Sequence, residues 1–361
     1  LEPPNNIRNF RDPKVFWYET AEAGHWVMVV SAGNAVLFFT SNDLLTWQTS
    51  GGFGLTHGAT CGVWETPDLF ELAVDGGPEM RWVLAVAIGG CAPAGGSGVQ
   101  YFVGQFDGRT FTNDNAEDTI LWVDYGADFY APQSWSNAPD DRRVWLGWMN
   151  NWTYAQDIPT STWRGSFTVP RELTLVTTPE GVRLAQTPIA ELQQLRGQHW
   201  QWRDETIDPN NDLLAGVRGE TLEIVAEFAI ADMADADRFG LRVRVGPDAY
   251  TTIGYGVKAR TLYVDRTRSG EVAFNPAFPA VHTAALQPVD GRVRLHILID
   301  RASVEVFAND GLVVFSEQVF PSDDSNGLEL FVDGEQVQLR ALDIWQLAPA
   351  AFRLVSVEEP Q

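Results

Sequence analysis

The run Trp26-Val27-Met28-Val29-Val30, then Ser31-Ala32-Gly33-Asn34, then Ala35-Val36-Leu37-Phe38-Phe39-Thr40 decides the fold class. Two apolar runs rich in β-branched and aromatic residues flank a short turn, which is the pattern of a β-hairpin. Runs of the same kind follow at Arg81 to Ile88, at Gly98 to Phe106 with an Asp107-Gly108 turn, at Arg143 to Met149, at Gly165 to Val169 and at Glu172 to Val176. Regular short strands without a long helical period predict an all-β sandwich, barrel or propeller for this part of the chain.

Residues 179 to 200 change character. Pro179-Glu180-Gly181 makes a turn, Pro188 starts a short helix through Leu195, and Gly197 ends it. Beyond residue 200 the alternation becomes strict. Leu222, Ile224, Ala226, Phe228 and Ile230 share one face, Phe239, Leu241, Val243 and Val245 share another with Arg242 and Arg244 outward, and Val293 to Ile299 and Val304 to Val306 repeat the scheme. This predicts an antiparallel β-sandwich with one wet face per sheet. The expected division is therefore 1–185, a linker with a short helix at 186–200, a sandwich at 201–349 and a loosely held tail at 350–361.

A chain of 361 residues with 45% hydrophobic and 20% charged residues builds folded domains, and two is the natural number. The net charge of −23, from 48 acidic and 25 basic residues, argues against nucleic acid and anionic membrane surfaces, which require clustered Lys and Arg. No apolar run approaches the roughly 18 residues that span a bilayer. The chain opens on Leu1-Glu2-Pro3-Pro4, so the terminus gives no localisation. Cys61 and Cys91 allow one disulfide or two free thiols. His25, His57, His199, His282 and His296 show no metal-ligand spacing, so neither metal nor cofactor is expected in the chemistry.

Three stretches combine acids with aromatics beyond what strands need: Asn9-Phe10-Arg11-Asp12-Pro13-Lys14-Val15-Phe16-Trp17-Tyr18, Val63-Trp64-Glu65-Thr66-Pro67-Asp68-Leu69-Phe70, and Trp148-Met149-Asn150-Asn151-Trp152 with Arg164-Gly165 downstream. Glu65 has low-polarity sequence neighbours, a setting that favours a protonated general acid, against the alternative of a solvated surface carboxylate. An Arg-Asp pair ahead of a strand can hold adjacent sugar hydroxyls, or be a local ion pair. The chain's 14 tryptophans suit sugar faces as well as cores. Gly89 to Gly98 lacks any phosphate-binding spacing and reads as a loop.

In this order, Phe10-Arg11-Asp12-Pro13, Trp64-Glu65 with Pro67-Asp68, Trp148 to Trp152, Trp163-Arg164-Gly165 and Pro170-Arg171-Glu172-Leu173 resemble glycoside hydrolase family 32, with most likeness to its levanases and exo-inulinases. Leu262 to Arg266 and Asp300 to Asn309 are similar to the C-terminal sandwich of that family. The resemblance runs from about Asn6 to Leu347. It implies an all-β chain with a five-bladed β-propeller followed by a β-sandwich, acting with retention on β-fructofuranosidic bonds of levan, inulin or sucrose.

Carried over residue by residue, the resemblance implies Glu65 as acid/base and Asp12 as transition-state stabiliser. Arg11, Trp64, Thr66, Asp128, Tyr130, Gln133 and Trp148 would bind substrate. Two departures stand out. The family's Trp-Met-Asn-Asp-Pro-Asn-Gly motif, which carries the nucleophilic Asp, is absent ahead of Arg11, and Asn151 has an amide where a carboxylate would be needed. Thr66 follows the acid/base where the family usually has Cys. The expectation is thus a propeller without its first blades, completed by an N-terminal segment or by a second copy across the open edge, with a non-catalytic fructan-binding protein as the alternative. The resemblance further implies an extracellular or periplasmic location.

Overall fold

The computed structural model describes residues 3–19, 23–230 and 236–350, so most of the expected tail at 350–361 lies outside the described residues. The expected hairpin is present as β2 and β3 in a four-stranded antiparallel sheet of β1 (Phe10–Glu19), β2 (Gly24–Ala32), β3 (Ala35–Ser41) and β4 (Gln48–Gly54), in that order. A second sheet runs β5 (Trp64–Ala73), β6 (Met80–Ile88), β7 (Gly98–Phe106) and β8 (Phe111–Asn113), with β9 (Leu121–Trp122) also on β7. The third comprises β10 (Tyr130–Ser134), β11 (Val144–Met149), β12 (Ser166–Phe167), β13 (Arg171–Thr178) and β14 (Gly181–Pro188), in order β10-β11-β13-β14 with β12 on β11. Three consecutive meanders of this kind are propeller blades, each entered through its inner strand: β1, β5 or β10. Apolar side chains between neighbouring sheets, such as Val29, Phe38, Trp64, Leu84 and Phe102, form the inter-blade core.

A 3-10 helix at Ala190–Leu195 leads straight into the sandwich. Its strands are β15 (Arg196–Ile207), β16 (Leu222–Ala229), β17 (Ala236–Val245), β18 (Thr251–Gly256), β19 (Thr261–Asp265), β20 (Val281–Ala285), β21 (Arg292–Asp300), β22 (Ser303–Ala308), β23 (Val313–Gln318), β24 (Gly327–Gly334) and β25 (Val337–Leu347). One sheet is ordered β15-β25-β16-β21-β22-β23 and the other β20-β19-β18-β17-β24. The alternating apolar positions of both close on one core, from Leu222, Ile224 and Phe228 to Phe239, Leu241 and Ile297. One outward assignment fails. Arg244 is only 2% exposed because the register shifts between Val243 and Val245, where Arg244 has φ 53°, and this bulge turns its side chain inward toward the Glu220 carbonyl at 3.2 Å.

Blade three is welded to the sandwich. Tyr125 N–H donates to the Val314 carbonyl at 2.8 Å and Asp128 N–H to that of Ser316 at 3.0 Å. Gly126 lies so close that a Cβ there would meet the Ser316 backbone at 2.4 Å. Arg171, fully buried, bonds Asp124 at 3.1 Å and Glu305 at 2.8 Å. Arg266, also fully buried, bonds Asp128 at 2.6 Å and Glu317 at 3.0 Å.

Another carboxylate, Glu223, contributes to the acid stability of the sandwich. Burial acts to raise its pKa, but the Arg196 guanidinium at 2.6 Å and the His296 ring at 2.7 Å outweigh it and hold the carboxyl at about 2. The folded value lies below the unfolded one, so the stabilisation is fully present above about pH 4.5 and is lost as pH falls through 2. Denaturation followed from pH 5 to 2 is expected to show a loss of about 1–3 kcal/mol from this group, absent in Glu223→Gln. Parallel acid limbs for the two proteins would refute it.

Candidate active site

The three inner strands carry the same irregularity at the same height. Pairing skips from Arg11 to Lys14 in β1, from Glu65 to Asp68 in β5 and from Tyr130 to Gln133 in β10. In each case two residues, the second a proline, face one residue of the neighbouring strand, which defines a β-bulge. The residues before the prolines, Asp12, Thr66 and Ala131, have φ of 61°, 47° and 50°. Each bulge turns the side chain ahead of it toward the same point, and the three side chains are Arg11, Glu65 and Tyr130.

There they meet. Arg11 donates to Glu65 Oε1 through Nη2 at 2.6 Å and Nε at 3.2 Å, and the Tyr130 hydroxyl donates to Glu65 Oε2. Asp12 Oδ2 accepts the Thr66 N–H at 3.1 Å and stands 3.9 Å from Arg11 Nε. Glu65 keeps 22% of its side-chain surface and Asp12 32%, so both carboxylates reach solvent while held from behind. Burial, and then the bond to Glu65, push the Tyr130 phenol well above its ordinary range and keep it a donor. Pairing with Glu65 raises Arg11 likewise. The apolar setting expected from the sequence neighbours of Glu65 is not what surrounds its carboxyl group. Both oxygens act as acceptors, which suits the base half of an acid/base cycle.

Gln133 donates to the Thr66 carbonyl at 3.1 Å and braces the second bulge. Trp148 lies beside Tyr130, ring centroids 6.3 Å apart, and against the half-exposed Trp152 at 4.7 Å. These rings form an aromatic wall on one side of the carboxylates.

Two expected substrate contacts are corrected. Trp64 is fully buried, its indole N–H bonded to the Ala59 carbonyl at 2.9 Å, because its alternation on β5 turns it into the core between the blades. Asp128 is fully buried beneath Arg266, Tyr154 and Gln318, so it belongs to the interface with the sandwich and cannot touch a sugar. Asn151 is also structural: its amide donates to the Gly95, Ser97 and Ala127 carbonyls and ties the loop after β6 to blade three. That loop carries Cys91, which forms a disulfide with Cys61, closing the alternative left open in the sequence. Among the described residues no three His, Cys, Asp or Glu side chains gather as a metal site, and no helix is long and apolar enough to cross a membrane.

Sequence reasoning gave no role to Lys14 or Asp68. Their signal was the repeat of a proline third in four residues, in Arg11-Asp12-Pro13-Lys14, Glu65-Thr66-Pro67-Asp68 and Tyr130-Ala131-Pro132-Gln133.

Comparison with known proteins agrees with this architecture. Residues 1–188 match the glycosyl hydrolases family 32 N-terminal domain and residues 191–346 the glycosyl hydrolases family 32 C-terminal domain. A levanase of Bacillus subtilis is 49% identical over 350 residues, covering 96% of this chain and 51% of the relative. An extracellular exo-inulinase of Aspergillus ficuum is 36% identical, covering 93% of this chain and 64% of its own length. The chain thus spans between half and two thirds of the length of these curated relatives. Among solved structures, the exo-inulinase of Aspergillus awamori superposes with a TM-score of 0.87 at 33% identity, over 96% of this chain and 69% of the other.

Proposed function

The chain belongs to glycoside hydrolase family 32, and from that premise we propose that it is part of a β-fructofuranosidase acting on levan, inulin or sucrose with retention. The observation that carries the reading is the meeting of Arg11, Asp12, Glu65 and Tyr130 on three successive blades, with both carboxylates open to solvent. Glu65 protonates the leaving oxygen and then, ionised between Arg11 and Tyr130, takes a proton from water. Asp12, held by the Thr66 amide, fixes sugar hydroxyls and stabilises the positive charge that develops on the ring. Arg11 orients both. Tyr130 and Trp148 complete the wall against which the fructosyl ring lies, and Gln133 braces it through its bond to the Thr66 carbonyl.

Retention also needs an attacking carboxylate about 5–5.5 Å from the acid/base. Asp12 is placed here as stabiliser, and no residue of this chain is assigned the attacking role. In this scheme residues 1–185 form the catalytic part and 201–349 the sandwich that supports it, with 186–200 as linker. An extracellular setting follows from the named location of the Aspergillus ficuum relative and is compatible with the Cys61–Cys91 bridge.

The test is fructose release from levan, inulin and sucrose by this chain alone and by the full-length gene product. Release by the full-length gene product is expected. No release from either preparation refutes the enzyme, and calorimetric binding of short fructo-oligosaccharides by an inactive chain would favour the binding protein.

A further inference from the structure

Beneath the carboxylates lies a second tier of side chains, one from each inner strand and each on the far side of its proline. Lys14 Nζ, 15% exposed at the side chain, stands 3.1 Å from Oδ1 of Asp68, which is 1% exposed. The same ammonium donates to the Ser134 carbonyl at 3.0 Å and to Gln133 Oε1 at 3.3 Å. The other oxygen of Asp68 accepts the Ser134 N–H at 2.7 Å. One ion pair therefore joins β1, β5 and β10 just past the three bulges.

Its placement matters because of what it joins. A residue before proline is driven toward extended backbone, yet Asp12, Thr66 and Ala131 all sit at positive φ. Such conformations persist only where surrounding contacts over-determine them. Here one residue on each bulge, Asp12, Thr66 or Ala131, is followed two positions later by a member of the Lys14–Asp68–Gln133 cluster. Relaxing any one bulge would swing Arg11, Glu65 or Tyr130 away from the shared point.

We propose that Lys14 and Asp68 are positioning residues, an ion pair that locks the three bulges so that Arg11, Glu65 and Tyr130 stay converged on one point. Neither touches substrate; both act through the backbone they hold. The inference rests on the fructofuranosidase reading, so fructose release by the full-length gene product, the parent of every variant below, is measured first.

Given that release, Lys14→Met is expected to lower kcat on the order of 10²-fold with KM changed by no more than about threefold, the pattern of misplaced catalytic groups rather than lost binding. Lys14→Arg, which keeps the charge, is expected to recover part of the loss. Asp68→Asn is expected to resemble Lys14→Met, and the double variant to be no worse than the poorer single, because the two act as a unit. A kcat equal to that of the parent, a loss that merely follows the folded fraction by circular dichroism, or additive single effects overturns the proposal. A parent without release overturns the fructofuranosidase reading, and this inference with it.

Discussion

Glu65→Gln is expected to reduce fructose release by about 10³-fold, within the range that a positioned general acid and base contributes. The replacement preserves shape. The Gln carbonyl oxygen can still accept one of the two donors, Arg11 or Tyr130, that now hold the two carboxylate oxygens. What disappears is the exchangeable proton, so the loss belongs to chemistry and not to folding, and the thermal midpoint is expected to stay close to that of the parent. A substrate with an activated leaving group, such as an aryl β-fructofuranoside, needs no proton to depart, and the first step is expected to recover on it. Equal rates for variant and parent on levan would remove Glu65 from the mechanism.

The second large effect lies far from the chemistry. Arg266→Met is expected to cost about 3–5 kcal/mol of stability, because it leaves buried carboxylates without their counter-ion. Arg266 has no exposed side-chain surface and joins Asp128 at 2.6 Å, Glu317 at 3.0 Å, the Tyr154 hydroxyl at 2.9 Å and the Phe278 carbonyl at 2.8 Å. Its guanidinium also stacks 4.0 Å from the Phe278 ring. Asp128 comes from the chain between blades two and three, while Glu317 and Arg266 come from the sandwich, so the cluster fastens the two parts together. Burial raises the Asp128 pKa against the pull of Arg266, and removing the cation strengthens that drive toward the protonated form. Denaturant titration of Arg266→Met should show a much lower midpoint. Adding Asp128→Asn and Glu317→Gln should recover part of it, since the penalty comes from unpaired charge and not from lost shape. A midpoint unchanged by Arg266→Met would refute this account.

The two effects also separate the two kinds of residue that the motifs contain. Glu65 and Asp128 are both acids in aromatic surroundings, and the resemblance assigned both to the sugar pocket. They differ in exposure: Glu65 keeps 22% of its side-chain surface and Asp128 none. Only the first can meet a substrate, and the second is expected to act on stability alone.

Much of the architecture is local and so is legible in the chain itself. The alternation of Leu222 to Phe228 and of Val293 to Ile299 marks strands because successive side chains of a strand point to opposite faces. The hairpin around Gly33-Asn34 follows from turn chemistry, and the order of the Arg-Asp-Pro, Trp-Glu and Trp-Met-Asn stretches identifies the family. Where local rules break, sequence reading broke with them. A bulge reverses the face of Arg244, and the bulges in β1, β5 and β10 decide which of Arg11, Asp12, Glu65 and Thr66 face one another.

What only the tertiary structure decided are contacts between residues remote in sequence. Glu65 and Tyr130 are 65 positions apart, and Asp128 and Arg266 are 138 apart. The disulfide of Cys61 with Cys91, the burial of Trp64 between blades and the Lys14–Asp68 pair likewise depend on how whole sheets stack. Strand periodicity states that a side chain leaves one face of a sheet. Whether that face meets another blade, the sandwich or water is set by the packing of the sheets, and that packing separates the carboxylates that can do chemistry from those that hold the molecule together.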